Sequence, residues 1–362
     1  MKVVIFGVGA RSGELIRSLQ ATKIEVIAYS DNNRNKWGGE SIEGIEIISP
    51  EQLVLLDFDK IIISTDIYYE EINEQLKSII GIPDDKIVKS TYFSAQNLLG
   101  YYADNPQEVN PEKYKSLENI RRNNSLKVFN DFVPADVDIE VYYDDEKDMY
   151  YAIYCGKRMY LNRNFNTEDM ARRYCQGLLQ EQDINSPHRY LDEQFGVSSG
   201  SVVVDAGVAE GNFGLEIIDR VKHLYLVECD ELWKEALEYT FEPYKDKVTI
   251  VSKYLSDEVS DTSTTIDEIS RSTDIDFIKM DIEGMEFAAL KGGTEYLSRS
   301  KNIKVVACAY HNFDDEVKIK SILQEYGFEV STTNGYMVFL WSDVEPKRLV
   351  RGVVRAEKKG NS

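Results

Sequence analysis

The stretch Val202 to Asp230, VVVDAGVAEGNFGLEIIDRVKHLYLVECD, constrains the fold of this chain more than any other. Val202, Val203 and Val204 form a short β-branched apolar run, the composition of a strand buried on both faces. The run ends at Asp205, and Gly207 and Gly211 follow in a tight loop. Phe213, Ile217, Ile218 and Val221 then recur at helical spacing, which starts a helix near Asn212. A second apolar run, Leu224 to Val227, ends at Glu228. Strand, glycine loop, helix and strand in that order make one unit of a parallel sheet, and such sheets bind ligands beyond the carboxyl ends of their strands.

The residues at that edge narrow the ligand. Glycines let a ligand lie against backbone, and the start of the helix offers free N–H groups. Glu228, one strand on from Asp205, suits a carboxylate that accepts hydrogen bonds from both hydroxyls of a ribose. The pattern D-x-G-x-x-x-G departs from the dinucleotide pattern G-x-G-x-x-G, because an acidic residue replaces the first glycine. Asp205 would repel a pyrophosphate and attract an ammonium group, which favours S-adenosylmethionine over NAD. Asp205, Gly207, Glu210, Gly211, Asn212 and Glu228 are therefore the candidate cofactor contacts. The alternative is the strand–loop–helix of an α/β protein with no ligand there.

The second domain, residues 200–342, continues in the same alternation. Val248 to Val251 is a third strand, followed by Ser252 and Asp257, placed to meet an adenine edge. Phe277 to Met280 is a fourth, leaving through Asp281, Ile282, Glu283 and Gly284. Val305 to Ala309 is a fifth, with Tyr310 and His311 at its end. Phe328 to Thr332 and Tyr336 to Leu340 are expected as a final antiparallel pair. This order of elements matches a seven-stranded methyltransferase sheet. A general base for an acceptor hydroxyl has to stand at the carboxyl edge. Asp281 and His311 are the candidates, and Glu283 serves equally as a catalytic carboxylate or as a cap on the next helix. No zinc site is indicated and no metal is assigned, although these carboxylates and the histidine could also hold a divalent cation.

The first domain, residues 1–95, repeats the α/β alternation on a smaller scale. Val3 to Phe6 leads into Gly7, Gly9 and Gly13, spaced G-x-G-x-x-x-G, and a helix with Leu15, Ile16 and Leu19 on one face. Asp31 stands just past the second strand, where it could hold a ribose. This predicts a small Rossmann-like parallel sheet. Two readings stay open: a site for NAD(H) or a nucleotide sugar, and an inherited fold with no cofactor. Between the domains, residues 96–199 read as a connector with a helix and a β-hairpin, Ile139 to Tyr143 and Tyr150 to Tyr154. Its last loop carries His188, Arg189 and Tyr190, which with Tyr310 are the candidate contacts to a hydroxyl-rich acceptor, the connector acting as a cap.

A chain of 362 residues suits two domains with a connector. Its net charge of −21 repels phosphate backbones and anionic lipid, so nucleic acid and membrane surfaces are poor partners. No apolar run is long enough to span a membrane. Cys155, Cys175, Cys229 and Cys308 include no C-x-x-C pair and read as reduced core thiols, as in a cytoplasmic protein. Lys347, Arg348, Arg351, Arg355, Lys358 and Lys359 make residues 343–362 a basic, solvated tail, with contact to an acidic partner or a second subunit as the minor reading.

Two resemblances add to this. Asp276 to Gly293, DFIKMDIEGMEFAALKGG, together with Val202 to Phe213 and Ala309 to His311, is similar to the signature of the FkbM-type S-adenosylmethionine-dependent methyltransferases. Ser186 to Tyr190, SPHRY, fits the same resemblance, which covers about Leu178 to Leu340. The chain departs from it at Val227-Glu228-Cys229, where an aromatic-Glu-Pro is usual, and at Glu210, where Asn or Asp is usual. The resemblance implies O-methylation of a sugar or secondary metabolite and a small-molecule or oligosaccharide acceptor. Lys36-Trp37-Gly38 and Gly44 to Leu53 resemble the N-terminal Rossmann-like domains of bacterial polysaccharide-biosynthesis enzymes, which implies that pathway context. A non-catalytic nucleotide or nucleotide-sugar binding module in the same pathway is the alternative function. The acceptor, and whether the chain forms a homo-oligomer, stay open.

Overall fold

Apolar runs of four or five residues set both sheets, and alternation within each run decides which face a side chain covers. In a computed structural model the described residues are 1–9, 15, 19, 24–39, 44–65, 68–132, 137–341 and 346–360. They form two compact units, Met1–Asn130 with Leu340–Arg348 and Asp131–Phe339 with Leu349–Ser362. The expected connector is therefore divided at Asn130.

The first unit holds a five-stranded parallel sheet, β1 (Lys2–Phe6), β2 (Glu25–Ser30), β3 (Ile47–Ile48), β4 (Lys60–Ile63) and β5 (Ile87–Lys89), in the order β3-β2-β1-β4-β5. Val4, Phe6, Ile61 and Ile63 pack on one face, and Val3, Ile5, Ile62, Leu15 and Leu19 on the other. That is the period-two division of a strand covered on both sides. The small parallel sheet expected from the sequence is present. Gly13 and Ile16 lie outside the described residues.

The second unit begins with an antiparallel meander, β6 (Val141–Asp144), β7 (Met149–Tyr154) and β8 (Lys157–Tyr160), and the helix α1 (Glu168–Glu181). The main sheet follows: β9 (Val202–Ala206), β10 (His223–Val227), β11 (Val248–Val251), then, after the short pair β12 (Tyr254–Leu255) and β13 (Ser263–Thr264), β14 (Phe277–Met280), β15 (Ile303–Cys308), β16 (Glu329–Thr332) and β17 (Val353–Lys358). The strand order is β11-β10-β9-β14-β15-β17-β16, parallel except for β17, which runs antiparallel to both its neighbours. The seven-stranded methyltransferase sheet is thus formed, with β9 and β14 adjacent at its centre. Their carboxyl ends bring Gly207 and Asp281 together: a Cβ on Gly207, at φ +69, would lie 1.6 Å from the Asp281 carbonyl oxygen.

Two expectations at the end of the chain are corrected. Tyr336 to Leu340 is not the last strand; Met337 makes only an isolated bridge to Val350. The strand between β15 and β16 comes instead from the expected basic tail. Val353 and Val354 are fully buried and Ala356 nearly so, while Arg355 inserts among them, 8 % exposed, to pair with Asp192. Lysines and arginines within and beside it hid this strand, because charge counted over a window obscures which residues are buried. Cys175 and Cys308 are buried as expected, but Cys155 is exposed. Among the described residues no helix is long and apolar enough to cross a membrane.

Candidate active site

The carboxyl ends of β9, β10, β14 and β15 carry the predicted residues, and Asp281 stands at their centre. The Tyr190 hydroxyl donates to Asp281 Oδ2 at 2.7 Å and the Tyr310 hydroxyl to Oδ1 at 3.1 Å. His188 Nε2 and His311 Nε2 each lie 3.6 Å from the same carboxylate. Burial alone would raise the Asp281 pKa, but His188, Lys279, His311 and the Tyr190 hydrogen bond hold it well below the usual carboxylate range. Asp281 is therefore an anion under ordinary conditions.

His188 is buried, and loss of solvent pushes its pKa down to about 4 despite Asp281. It is a neutral ring in a chain of polar contacts, 3.3 Å from Gln182 Nε2 at Nδ1 and 3.3 Å from the Tyr310 hydroxyl at Nε2. The loop that carries His188 is pressed against the start of β17, where a Cβ on Gly352 would fall 2.1 Å from the Pro187 carbonyl oxygen. His188 and Tyr190 thus reach the site as the sequence suggested. Arg189 does not: it donates to the Gln182 carbonyl and approaches Glu216 at 3.7 Å, lining a separate cavity of about 540 Å³ with Tyr154 and Cys155.

His311 sits between three carboxylates. Its Nε2 is 3.5 Å from Glu283 Oε2, and its Nδ1 is 3.4 Å from Glu286 Oε1. Burial lowers its pKa, but Glu286, Asp281 and Glu283 together raise it above the ordinary imidazole value. Glu283 itself is on a strained turn at φ +55 with its side chain 87 % exposed. Glu283 does not cap the following helix, Glu286–Lys291, which has no side-chain cap hydrogen bond; Glu286 Oε1 instead ties back the preceding loop, accepting from the Ile282 N–H at 2.8 Å.

The cofactor loop shows a different division of labour from the one expected. Asp205 is fully buried, and Lys279, its register partner on β14, approaches it at 3.1 Å. The same ammonium donates to the Gly207 carbonyl at 2.6 Å. Asp205 is thus committed to Lys279, which in turn holds the loop. Gly207 and Gly211 owe their missing side chains to protein packing: Gly207 makes room for the Asp281 backbone, and a Cβ on Gly211 would meet the Phe241 ring at 2.7 Å. Glu228 is half-buried at the mouth, where it accepts from the Ala209 and Asp230 N–H groups at 2.9 and 2.8 Å. Asn212 opens its helix as expected and turns its Oδ1 to the Phe213 N–H. Glu210 is buried and accepts from the Tyr174 hydroxyl of α1 at 2.5 Å, so it fastens the connector helix to the loop. Ser252 and Asp257 are exposed beyond β11.

Lys279, Glu286, Tyr174 and Glu181 were not singled out by the sequence. A lysine inside the apolar run Phe277 to Met280 was the available signal for the first, since an isolated charge in a central strand demands a partner. Burial, with Asp281 and Glu210 nearby, pushes Glu181 up to about 8, which makes it a neutral carboxyl on the connector side.

In the first unit, Asp31 is closed off by its own surroundings. Its Oδ2 accepts from the Val8 N–H and from Lys36 Nζ, both at 2.8 Å, and its Oδ1 from the Asn33 N–H at 2.8 Å. Burial opposes ionisation there, and these hydrogen bonds more than offset it. Gly7, at φ +96, is packed against Ser64, and Gly9 faces open space. Among the described residues of the first unit, nothing supports NAD or a nucleotide sugar.

A seven-stranded sheet of this order, with a glycine loop after its central strand and an acidic residue after the next, has the architecture of a methyltransferase. Residues 108–330 match the Methyltransferase FkbM domain, and the chain belongs to that family. Residues 1–88 match a second domain, C2185-like, N-terminal. Among solved structures, the methyltransferase FkbM from Methylobacillus flagellatus shares the fold with a TM-score of 0.53 at 17 % identity, over 98 % of this chain and 89 % of that one. The magnesium protoporphyrin IX methyltransferase of Synechocystis, with bound S-adenosylmethionine, is similar over 44 % of this chain and 71 % of its own at 15 % identity, with a TM-score of 0.30. The precorrin-6y C5,15-methyltransferase of Geobacter metallireducens is similar over 45 % and 82 % at 14 % identity, with a TM-score of 0.33. No curated protein matches the chain.

Proposed function

We propose that this methyltransferase transfers the methyl group of S-adenosylmethionine to a hydroxyl of a sugar in glycan or polysaccharide biosynthesis. The observation that carries the reading is the anionic Asp281, ringed by Tyr190, Tyr310, His188 and His311 beside Gly207. The donor set fits the cofactor. Asp205, Glu228 and Asp281 outweigh Lys279 around the loop, and a surplus of carboxylate favours a sulfonium and an ammonium over a phosphate. Glu228 would hold the ribose, and the loop from Gly207 to Asn212 the amino-acid end.

When bound, S-adenosylmethionine supplies a methyl on a sulfonium that leaves as a neutral thioether once an oxygen attacks. What the chain contributes is placement and proton transfer. Tyr190 and Tyr310 fix the Asp281 carboxylate, which orients an acceptor hydroxyl. The cluster of Asp281, His311 and Glu283 receives the proton that the hydroxyl loses. The phenol oxygens, whose hydrogens are given to Asp281, and the imidazoles give a hydroxyl-rich acceptor more partners than an apolar one would use.

The test is a panel of nucleotide sugars and oligosaccharides incubated with full-length protein and methyl-labelled donor. Label should appear as a base-stable methyl ether on a sugar and fall at least about a hundredfold with Asp281→Asn. Label found only on a carboxyl, amine or phenol acceptor would overturn the sugar reading.

A further inference from the structure

The acceptor side of the site holds more buried ligand atoms without a hydrogen bond than methyl transfer from a preformed sulfonium needs. One ligating atom from each of Asp281, Glu286 and His311 lies within 4.8 Å of the other two. The His311 side chain is 5 % exposed and that of Glu286 is fully buried. Yet His311 Nδ1, His311 Nε2 and Glu286 Oε2 have no hydrogen-bond partner, Nδ1 standing 3.4 Å from Glu286 Oε1 as an ion-pair contact. Buried polar atoms of this kind are rare in native proteins and call for a partner. The neighbouring ammonium of Lys279 is already directed to Asp205 and the Gly207 carbonyl.

We propose that Asp281, Glu286 and His311 bind a divalent cation that also takes the acceptor hydroxyl, an inference that rests on the assignment of Asp281 to the acceptor side. One imidazole nitrogen and two carboxylate oxygens suit Mn²⁺, Fe²⁺, Co²⁺ or Zn²⁺ better than Ca²⁺. Three protein ligands leave coordination positions open, as metal sites that act on a substrate require. Tyr190 and Tyr310 already donate to Asp281, the outer hydrogen bonds that orient a ligating carboxylate. The exposed Glu283, 3.5 Å from His311 Nε2, stands where a proton leaving the site would be received. In the step, the cation draws charge from the bound hydroxyl, and its O–H bond breaks with the proton going to the Glu283 carboxylate. The oxygen electron pair forms the new O–CH₃ bond while the S–CH₃ bond breaks, its pair remaining on sulfur.

The experiment uses chelator-treated full-length protein and Mn²⁺ alone, followed by electron paramagnetic resonance. A single tight site is expected, with ¹⁴N modulation from a directly bound imidazole. This signature is read on the unaltered protein and needs no variant to fold. His311→Ala should remove the modulation and weaken binding by about a hundredfold. Cys308→Ser, which alters the neighbouring group of His188, Asp281 and Cys308, should leave both unchanged. Absence of binding at millimolar Mn²⁺, or binding without nitrogen coupling, overturns the proposal. Calorimetry with S-adenosylhomocysteine on the metal-free protein separates the two claims. Donor product bound without Mn²⁺ uptake refutes only the cation, and Mn²⁺ bound without donor product refutes the methyl-transfer reading beneath it.

Discussion

At the scale of single residues, Asp205 and Glu228 look alike in sequence and differ in what surrounds them. Asp205 is fully buried, and burial raises its pKa against the pull of Lys279. Replacing it with Asn leaves an ammonium buried without its counter-charge, which costs about 3–5 kcal/mol where such pairs have been broken. Asp205→Asn should therefore show its main loss in denaturant unfolding. Glu228 stands half-buried at the mouth, and its replacement by Gln keeps the shape and removes the charge that strengthens hydrogen bonds to a ribose. Such bonds are worth roughly 1.5–3 kcal/mol, so donor-product affinity should fall about tenfold to a hundredfold with little loss of stability. Calorimetry of Glu228→Gln with S-adenosylhomocysteine decides this, and wild-type affinity would remove Glu228 from the cofactor site.

At the scale of elements, strands with uniform apolar runs were legible and strands disguised by charge were not. Val202 to Val204, Leu224 to Val227 and Phe277 to Met280 became β9, β10 and β14, because strands covered on both faces leave no room for polar alternation. Val353 to Lys358 became β17 against its local charge, since Arg355 finds Asp192 far along the chain, where no window reaches. The site followed the same rule. His188, Tyr190, Tyr310, His311 and Asp281 could be named because each ends or precedes a strand, whereas the Tyr174–Glu210 bond joins two elements whose registers the sequence does not relate. That bond carries a pH signature. Burial pushes Glu210 up to about 7 from 4.5, even though the Tyr174 hydroxyl pulls it down. A carboxyl raised on folding stabilises fully below its unfolded pKa, and the contribution is lost as pH rises through the folded value. Stability should thus decline between about pH 4.5 and pH 7, by roughly 3 kcal/mol from this group. In urea unfolding at pH 5 and pH 8, Glu210→Gln should lose less stability than the wild type by roughly 2–3 kcal/mol, the part of that loss that falls between the two pH values. Equal losses in the two proteins would mean that Glu210 is ionised in the folded state at both pH values.

At the scale of the whole molecule, two sheets of related design were expected, and their glycine loops differ in what the nearby carboxylate is free to do. Glu228 meets backbone N–H groups at an open mouth, whereas Asp31 is engaged by Val8, Asn33 and Lys36. Each unit also has its own tryptophans: Trp233 lies in the second, and Trp37 and Trp341 in the first. A ligand that binds only the folded form raises stability by about 2.7 kcal/mol at a hundred times its dissociation constant, and it acts on the unit that holds it. S-adenosylhomocysteine should therefore raise the unfolding midpoint followed through Trp233 in a variant with Trp37 and Trp341 replaced by Phe. NAD or a nucleotide sugar should leave unmoved the midpoint followed through Trp37 in the complementary variant. A shift there would show that Lys36 gives way and that Asp31 opens to a ribose, restoring a nucleotide site to the first sheet. An unmoved midpoint with NAD beside a raised one with S-adenosylhomocysteine assigns ligand binding to the second sheet, and leaves Asp31 of the first engaged by Lys36 and the Val8 N–H.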